Sequence, residues 1–150
     1  MTENIAIPVW AQGLEGMSAL VTGAGRGLGR ACAQVLSHAG ADIIAVARTG
    51  SEVEALASAL PGKVDAWAMD ATGDEILAAI EALPRLDVLV NNAGTNSPQP
   101  FTEVTDEVLD VMLNLNMRSA FRIARSAARV MRRAGNGGSI IHMSSQMGHI

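Results

Sequence analysis

The chain has 150 residues, enough for one domain with a sizeable core. Hydrophobic residues make up 49% and charged ones 17%, which excludes a disordered chain, and the net charge of −4 argues against general affinity for nucleic acid. Cys32 is the single cysteine, so no internal disulfide can form; it reads as a small packed helix residue in a reducing compartment.

Residues 1–16 read as a lead-in ahead of a domain over 17–150, with Val9 and Trp10 packing down onto it. They lack the basic start and apolar stretch of a signal peptide. No apolar run approaches the roughly 20 residues needed to cross a bilayer, so a cytoplasmic protein without a membrane partner is expected.

Ser18 to Val21 is a short apolar run entering a glycine-rich turn, and it reads as a first buried strand. A helical pattern follows from Gly27 to His38 and ends at Ala39-Gly40. Ile43 to Val46 is a second strand. Ser51-Glu52-Val53-Glu54 matches a capping box and predicts the start of the next helix. Lys63 to Met69 is a third strand ending at Asp70, and Thr72-Gly73-Asp74-Glu75 is a second capping box for a helix to about Leu83. Asp87 to Val90 is a fourth strand running into Asn91-Asn92-Ala93-Gly94, followed by a loop with Pro98 and Pro100. A long helical stretch from about Thr105 to Arg133 is broken by Gly135 to Gly138, and Ser139 to Met143 is a fifth strand. Short apolar strands alternating with helices predict an α/β fold, a doubly wound parallel sheet of Rossmann type. The fifth strand has no following helix within these residues, which predicts an uncovered apolar face.

Thr22-Gly23-Ala24-Gly25-Arg26-Gly27-Leu28-Gly29 lies between the first strand and the first helix. Such a turn presents free backbone amides and the positive end of the helix dipole, and both favour a phosphate. Glycine allows positive φ and lets a pyrophosphate approach without a Cβ in the way. The spacing is Thr-Gly-x-x-x-Gly-x-Gly and differs from the Gly-x-Gly-x-x-Gly dinucleotide fingerprint. A tight turn that binds nothing is the plain alternative, and the turn's place at the start of a βαβ unit weighs against it.

Thr22 to Gly29, Asn91 to Gly94 and Gly138-Ser139-Ile140-Ile141-His142-Met143-Ser144-Ser145 together resemble the short-chain dehydrogenase/reductase family, in its carbonyl-reductase branch. The similarity runs in order from Leu14 onward. It implies hydride transfer between a nicotinamide cofactor and a carbonyl or alcohol carbon of a small molecule. The acidic residue that would bind the ribose hydroxyls of NAD is replaced by Ala47, with Arg48 and Thr49 beside it and Arg26 inside the turn. Guanidinium forks suit phosphate, so NADP(H) is expected in preference to NAD(H). Asp70 and Ala71 resemble the adenine-contacting stretch, with an Asp70 turn cap as the other reading. Asn92, Ala93 and Gly94 would lie beside the cofactor ribose.

The resemblance also implies that Ser145 orients the substrate oxygen and that Asn116, with Asn114 as its rival, helps hold a proton-relaying water. Ser119 replaces the glycine often found in that stretch, a change not expected to disturb the site. The family's proton donor is a tyrosine with a lysine four residues later. This chain has no tyrosine, and its one lysine, Lys63, lies before the third strand. That pair would follow Ile150 in a longer enzyme, so the 150 residues alone are expected to reduce nothing. The alternative is a non-catalytic nicotinamide-binding or sensing module.

A methyltransferase would want an acidic residue where Ala47 stands, and would leave Asn91 to Gly94 without a role. A hydrolase built on Ser145 and His149 lacks the Gly-x-Ser-x-Gly elbow. His142 reads as structural in a buried strand and His149 as a pocket-rim residue. The substrate pocket would use Thr95 to Gln99 and the stretch from Gln146 to His149. No metal site is expected. Arg118, Arg122, Arg125, Arg129 and Arg132 step by four and three along one helix face. A solvated face and a nucleic-acid surface are both open readings. The resemblance adds a third, packing of the 105–133 helix against another subunit of a homodimer or homotetramer.

Overall fold

The computed structural model describes residues 12–145, so Val9, Trp10 and the Gln146-to-His149 stretch lie outside the described residues. Five strands, β1 (Ser18–Thr22), β2 (Asp42–Ala47), β3 (Val64–Ala68), β4 (Val88–Asn91) and β5 (Ser139–His142), form one parallel sheet in the order β3-β2-β1-β4-β5. Five α-helices connect them: α1 (Gly27–His38), α2 (Gly50–Ala59), α3 (Glu75–Glu81), α4 (Asp106–Leu113) and α5 (Ala120–Ala134).

Strand side chains alternate between two separate cores. Ala19, Val21, Ile43, Ala45, Val88 and Val90 pack with Ala33 of α1 and Val53 and Leu56 of α2. Leu20, Ile44, Val46 and Leu89 pack on the opposite face with Ile76 and Ile80 of α3 and Ile123, Ala127 and Val130 of α5. The central strands are therefore apolar on both sides, which is why they read as continuous hydrophobic runs. Each fully buried Leu or Ile, such as Leu20 or Leu89, contributes about 1.5–3 kcal/mol. Cys32 is half-buried against the first of these cores.

Both expected capping boxes are absent. The first turn of α2 begins at Gly50 behind Thr49, so Ser51 sits inside the helix, and no side chain caps it. Helix α3 begins at Glu75 behind Asp74, while the Thr72 hydroxyl donates instead to Asp70 Oδ1 at 2.8 Å. The turn ahead of α3 thus takes its order from Asp70. Among the described helices the side-chain cap is Thr105, whose hydroxyl accepts from Val108 N–H at the start of α4.

The helical stretch expected from Thr105 to Arg133 is interrupted by a π-helical turn, Asn114–Ser119, between α4 and α5. Gly135, at φ +79°, terminates α5 in the left-handed conformation. The arginines of α5 are largely engaged within the fold. Arg122 pairs with Asp74, Arg129 with Glu81 Oε1 at 2.9 Å, and Arg133 donates to the carbonyls of Glu81 and Leu83. Arg125 lies 5.6 Å from the Phe121 ring centre. These contacts tie α5 to α3, which weighs against a free basic face for nucleic acid.

At the opposite edge of the sheet from the glycine turn, buried Asp87 accepts from Ser18 N–H and Arg85 Nε, both at 2.9 Å, and from Asn136 Nδ2. Its backbone carbonyl receives Ser139 N–H at 2.8 Å, which starts β5. All four residues of β5 are exposed. His142, expected in a buried strand, is exposed among the described residues. Ile140 and Ile141 are 36% and 45% exposed, as the uncovered strand predicted. Among the described residues, no helix is long and apolar enough to cross a membrane.

Candidate active site

The strand order reverses between β1 and β4. In an open parallel sheet the crevice at that switch point, beyond the strand C-termini, is where ligands bind. Thr22 ends β1 and Asn91 ends β4, so the two sequence motifs meet there. The Thr22 hydroxyl donates to Asn91 Oδ1 at 3.4 Å and accepts the N–H groups of Asn92 and Ala93, both at 3.0 Å. The Asn92 side chain donates to the carbonyls of Thr22 at 3.0 Å and Gly23 at 3.3 Å. Asn91, given no role from sequence, donates to the Ala120 carbonyl at 2.7 Å and links β4 to the start of α5.

The glycine turn is held against this knot. A Cβ at Gly29 would collide with the Gly23 carbonyl and with Asn92 Nδ2, so only glycine allows that approach. Gly27, at φ +55°, faces open space instead, with nothing within 4 Å of a Cβ position. A phosphate could occupy that room at the N-terminus of α1. Ala24 N–H bonds to the Val46 carbonyl at 2.9 Å and fastens the turn to β2. Leu28 is exposed on the first turn of α1. Gly25 is buried beneath the Glu52 carboxylate, a neighbour that sequence reading did not assign.

Arg26 stands at the N-cap of α1, and Arg48 and Thr49 follow β2; all three are exposed. Neither Arg26 nor Arg48 pairs with a carboxylate among the described residues, in contrast to Arg85, Arg122 and Arg129. Asp70, just beyond β3, accepts from Thr72 N–H at 2.8 Å and from the Thr72 hydroxyl. Those two bonds, and after them the positive charge of Arg48, hold its carboxyl below the usual range against an opposing effect of burial. Asp70 therefore caps its own turn, with the charge of Arg48 within electrostatic reach. Ala71 is half-buried against the core.

Asn116 lies on the π-helical turn and grips the chain just beyond Gly94. Its Oδ1 accepts from Thr95 N–H at 2.8 Å, and its Nδ2 donates to the Thr95 carbonyl at 2.9 Å. Its rival Asn114 instead contributes its backbone carbonyl, which receives the Ser119 hydroxyl at 2.7 Å. Ser119 is 2% exposed, so the hydroxyl thought incidental is a buried, bonded group. Thr95, Asn96, Ser97, Glu107, Val111 and Met112 line an open groove of about 360 Å³. The Glu107 carboxyl is held below the usual range, first by the Thr105 hydroxyl and then by its own backbone N–H. Ser145 is exposed three residues beyond the end of β5, on the side of β4 away from β1.

The structure thus brings together Thr22 to Gly29, Asn92 to Gly94 and Asn116. Arg48, Thr49, Asp70 and Ala71 follow the neighbouring strands at the same edge of the sheet. Sequence reading assigned no site role to Glu52 and Asn91, and Thr95, expected in the substrate pocket, is also the partner of Asn116. Of Glu52 and Asn91, only Asn91 carried a signal, through its place in the Asn91-to-Gly94 motif.

The family model described as short chain dehydrogenase matches residues 17–150. The chain is 41% identical over 135 residues to L-xylulose reductase of Mesocricetus auratus, covering 89% of this chain and 55% of that protein. It is 39% identical over 139 residues to carbonyl reductase [NADPH] 2 of Sus scrofa, covering 90% of this chain and 55% of that protein. A candidate NAD(P) dependent gluconate 5-dehydrogenase from Beutenbergia cavernae, solved with bound NADP at low occupancy, superposes with a TM-score of 0.82. Its identity is 33%, over 91% of this chain and 57% of that one. The chain spans about half the length of the curated relatives it matches. By the family match over nearly its whole length and by the sheet it forms, the chain belongs to the short-chain dehydrogenase family.

Proposed function

We propose that the protein carrying this chain is an oxidoreductase moving a hydride between NADP(H) and a small carbonyl or alcohol substrate. The observation that carries the reading is the Thr22 knot, which holds the glycine turn and Asn92 to Gly94 on two sides of one crevice. Gly23, Gly25, Gly27, Leu28 and Gly29 border the pyrophosphate in this reading. Asn92, Ala93 and Gly94 lie along the ribose.

NADP(H) is favoured over NAD(H) because Arg26 and Arg48 carry exposed positive charge without a carboxylate partner, while Ala47 offers no carboxylate to the ribose. The naming of one relative for NADPH and the NADP in a related structure support the same choice. Thr49, Asp70 and Ala71 complete the adenosine end.

When bound, the nicotinamide supplies or accepts the hydride. Ser145 orients the substrate oxygen by hydrogen bonding, and Asn116 holds the edge at Thr95 along which a proton-relaying water is kept. The proton itself requires a group with a pKa brought toward neutrality. These 150 residues contain no tyrosine to serve as that group. We place the protein in the cytoplasm, with a second copy covering the exposed Leu109, Leu113, Met117 and Phe121 in the 105–133 helical stretch.

The test is carbonyl-dependent oxidation of NADPH by the whole protein, followed by nicotinamide absorbance over a panel of small ketoses and diketones. Turnover that falls about a hundredfold in Ser145→Ala is expected. Tight NADPH binding without turnover on any carbonyl would instead mark a nicotinamide-binding module.

A further inference from the structure

We propose that Ser119 is a positioning residue, whose hydroxyl holds the π-helical turn that aims Asn116 at Thr95. The inference rests on the part given to Asn116 under the proposed function.

In an α-helix a serine hydroxyl bonds back to the carbonyl three or four residues earlier. The Ser119 hydroxyl donates to Asn114, five residues earlier, at 2.7 Å. That partner comes within reach where the helix widens to i→i+5 spacing, the geometry of this turn. The bond to Asn114 is matched to the π-helical form; in the α-helical one the hydroxyl would turn to a carbonyl three or four residues back and leave Asn114. Ser119 is 2% exposed, so the hydroxyl itself is turned away from bulk water.

The two ends of the turn are held differently. Asn91 of β4 donates to the Ala120 carbonyl at 2.7 Å and fixes the C-terminal end to the sheet. Asn116 is held only by its own two bonds to Thr95. If the turn relaxed to α-helical spacing, one residue would leave it, and the part not anchored by Asn91 would rotate by about 100°. Asn116 lies in that part, so its side chain would swing away from Thr95. The Ser119 bond opposes that rotation from inside the turn. An alanine at 119 would fill nearly the same space and supply no bond, which separates holding the turn from filling the core.

The experiment compares wild type, Ser119→Ala and Ser119→Thr in the whole protein. It reads site-resolved hydrogen exchange at the Thr95 amide, bonded to Asn116 Oδ1, and at the Ala24 amide, bonded to the Val46 carbonyl, as a control. In Ser119→Ala, exchange at Thr95 is expected to quicken about tenfold with Ala24 unchanged. With a reducible carbonyl, kcat should fall about tenfold while KM for the nicotinamide cofactor stays within about twofold, and Ser119→Thr should restore both. Wild-type exchange at Thr95 in Ser119→Ala would overturn the proposal, and so would equal quickening at Ala24, the mark of general loosening. If the wild type turns over no carbonyl, the reaction reading fails by itself, and the exchange contrast still decides the role of Ser119.

Discussion

A hydroxyl has one proton to donate and two lone pairs to receive, and at Thr22 all three are engaged. The Asn91 side chain takes the proton; the amides of Asn92 and Ala93 take the lone pairs. Thr22→Val keeps the shape and removes every one of these bonds, leaving two amides at the crevice without partners. A loss of about 1–3 kcal/mol in urea unfolding is expected, together with weaker cofactor binding, and Thr22→Ser should recover most of both. Unchanged stability and affinity in Thr22→Val would show that the hydroxyl does not brace the crevice. The place of Thr22 between the first strand and the glycine turn was legible in the sequence. Its bracing of Asn92 and Ala93 was not, because the partners lie 70 and 71 residues away and nothing local announces them.

Among the contacts that join α3 to α5, one carboxylate takes two donors. Glu81 Oε1 accepts from the Ser126 hydroxyl at 2.8 Å and from Arg129 Nη1 at 2.9 Å. The Ser126 bond first, and Arg129 after it, hold the carboxyl below its ordinary value of 4.5. A depressed folded-state value means that the ionised form is favoured in the fold. Its stabilisation is present above pH 4.5 and is lost as pH falls through the lower folded-state value. Glu81→Gln should therefore flatten the acid-side fall in melting temperature, measured from neutral pH to below the carboxylate range. A fall parallel to the wild type would place that acid sensitivity elsewhere. The helices were readable from apolar spacing, and so were the starts of α1 at Gly27 and of α4 behind Thr105, but the starts of α2 and α3 were not. Ser51 and Thr72 fit a capping pattern that a helix interior and an Asp70-centred turn satisfy equally well. The π-helical turn was hidden too, since one extra residue scarcely alters the periodicity of the long stretch around it.

Across the whole molecule, the doubly wound sheet followed from the order of its apolar runs, and the crevice from the two motifs that end β1 and β4. Arg48 follows β2 at that same end of the sheet and makes no ion pair among the described residues, which makes cofactor choice the most direct consequence of the account. The measurement is a titration of NADPH and NADH into the wild type and into Arg48→Ala, followed by calorimetry. The wild type should bind NADPH at least about tenfold more tightly than NADH, and the variant should lose that preference through weaker NADPH binding. Equal affinities in the wild type, or an undiminished preference in Arg48→Ala, would contradict it.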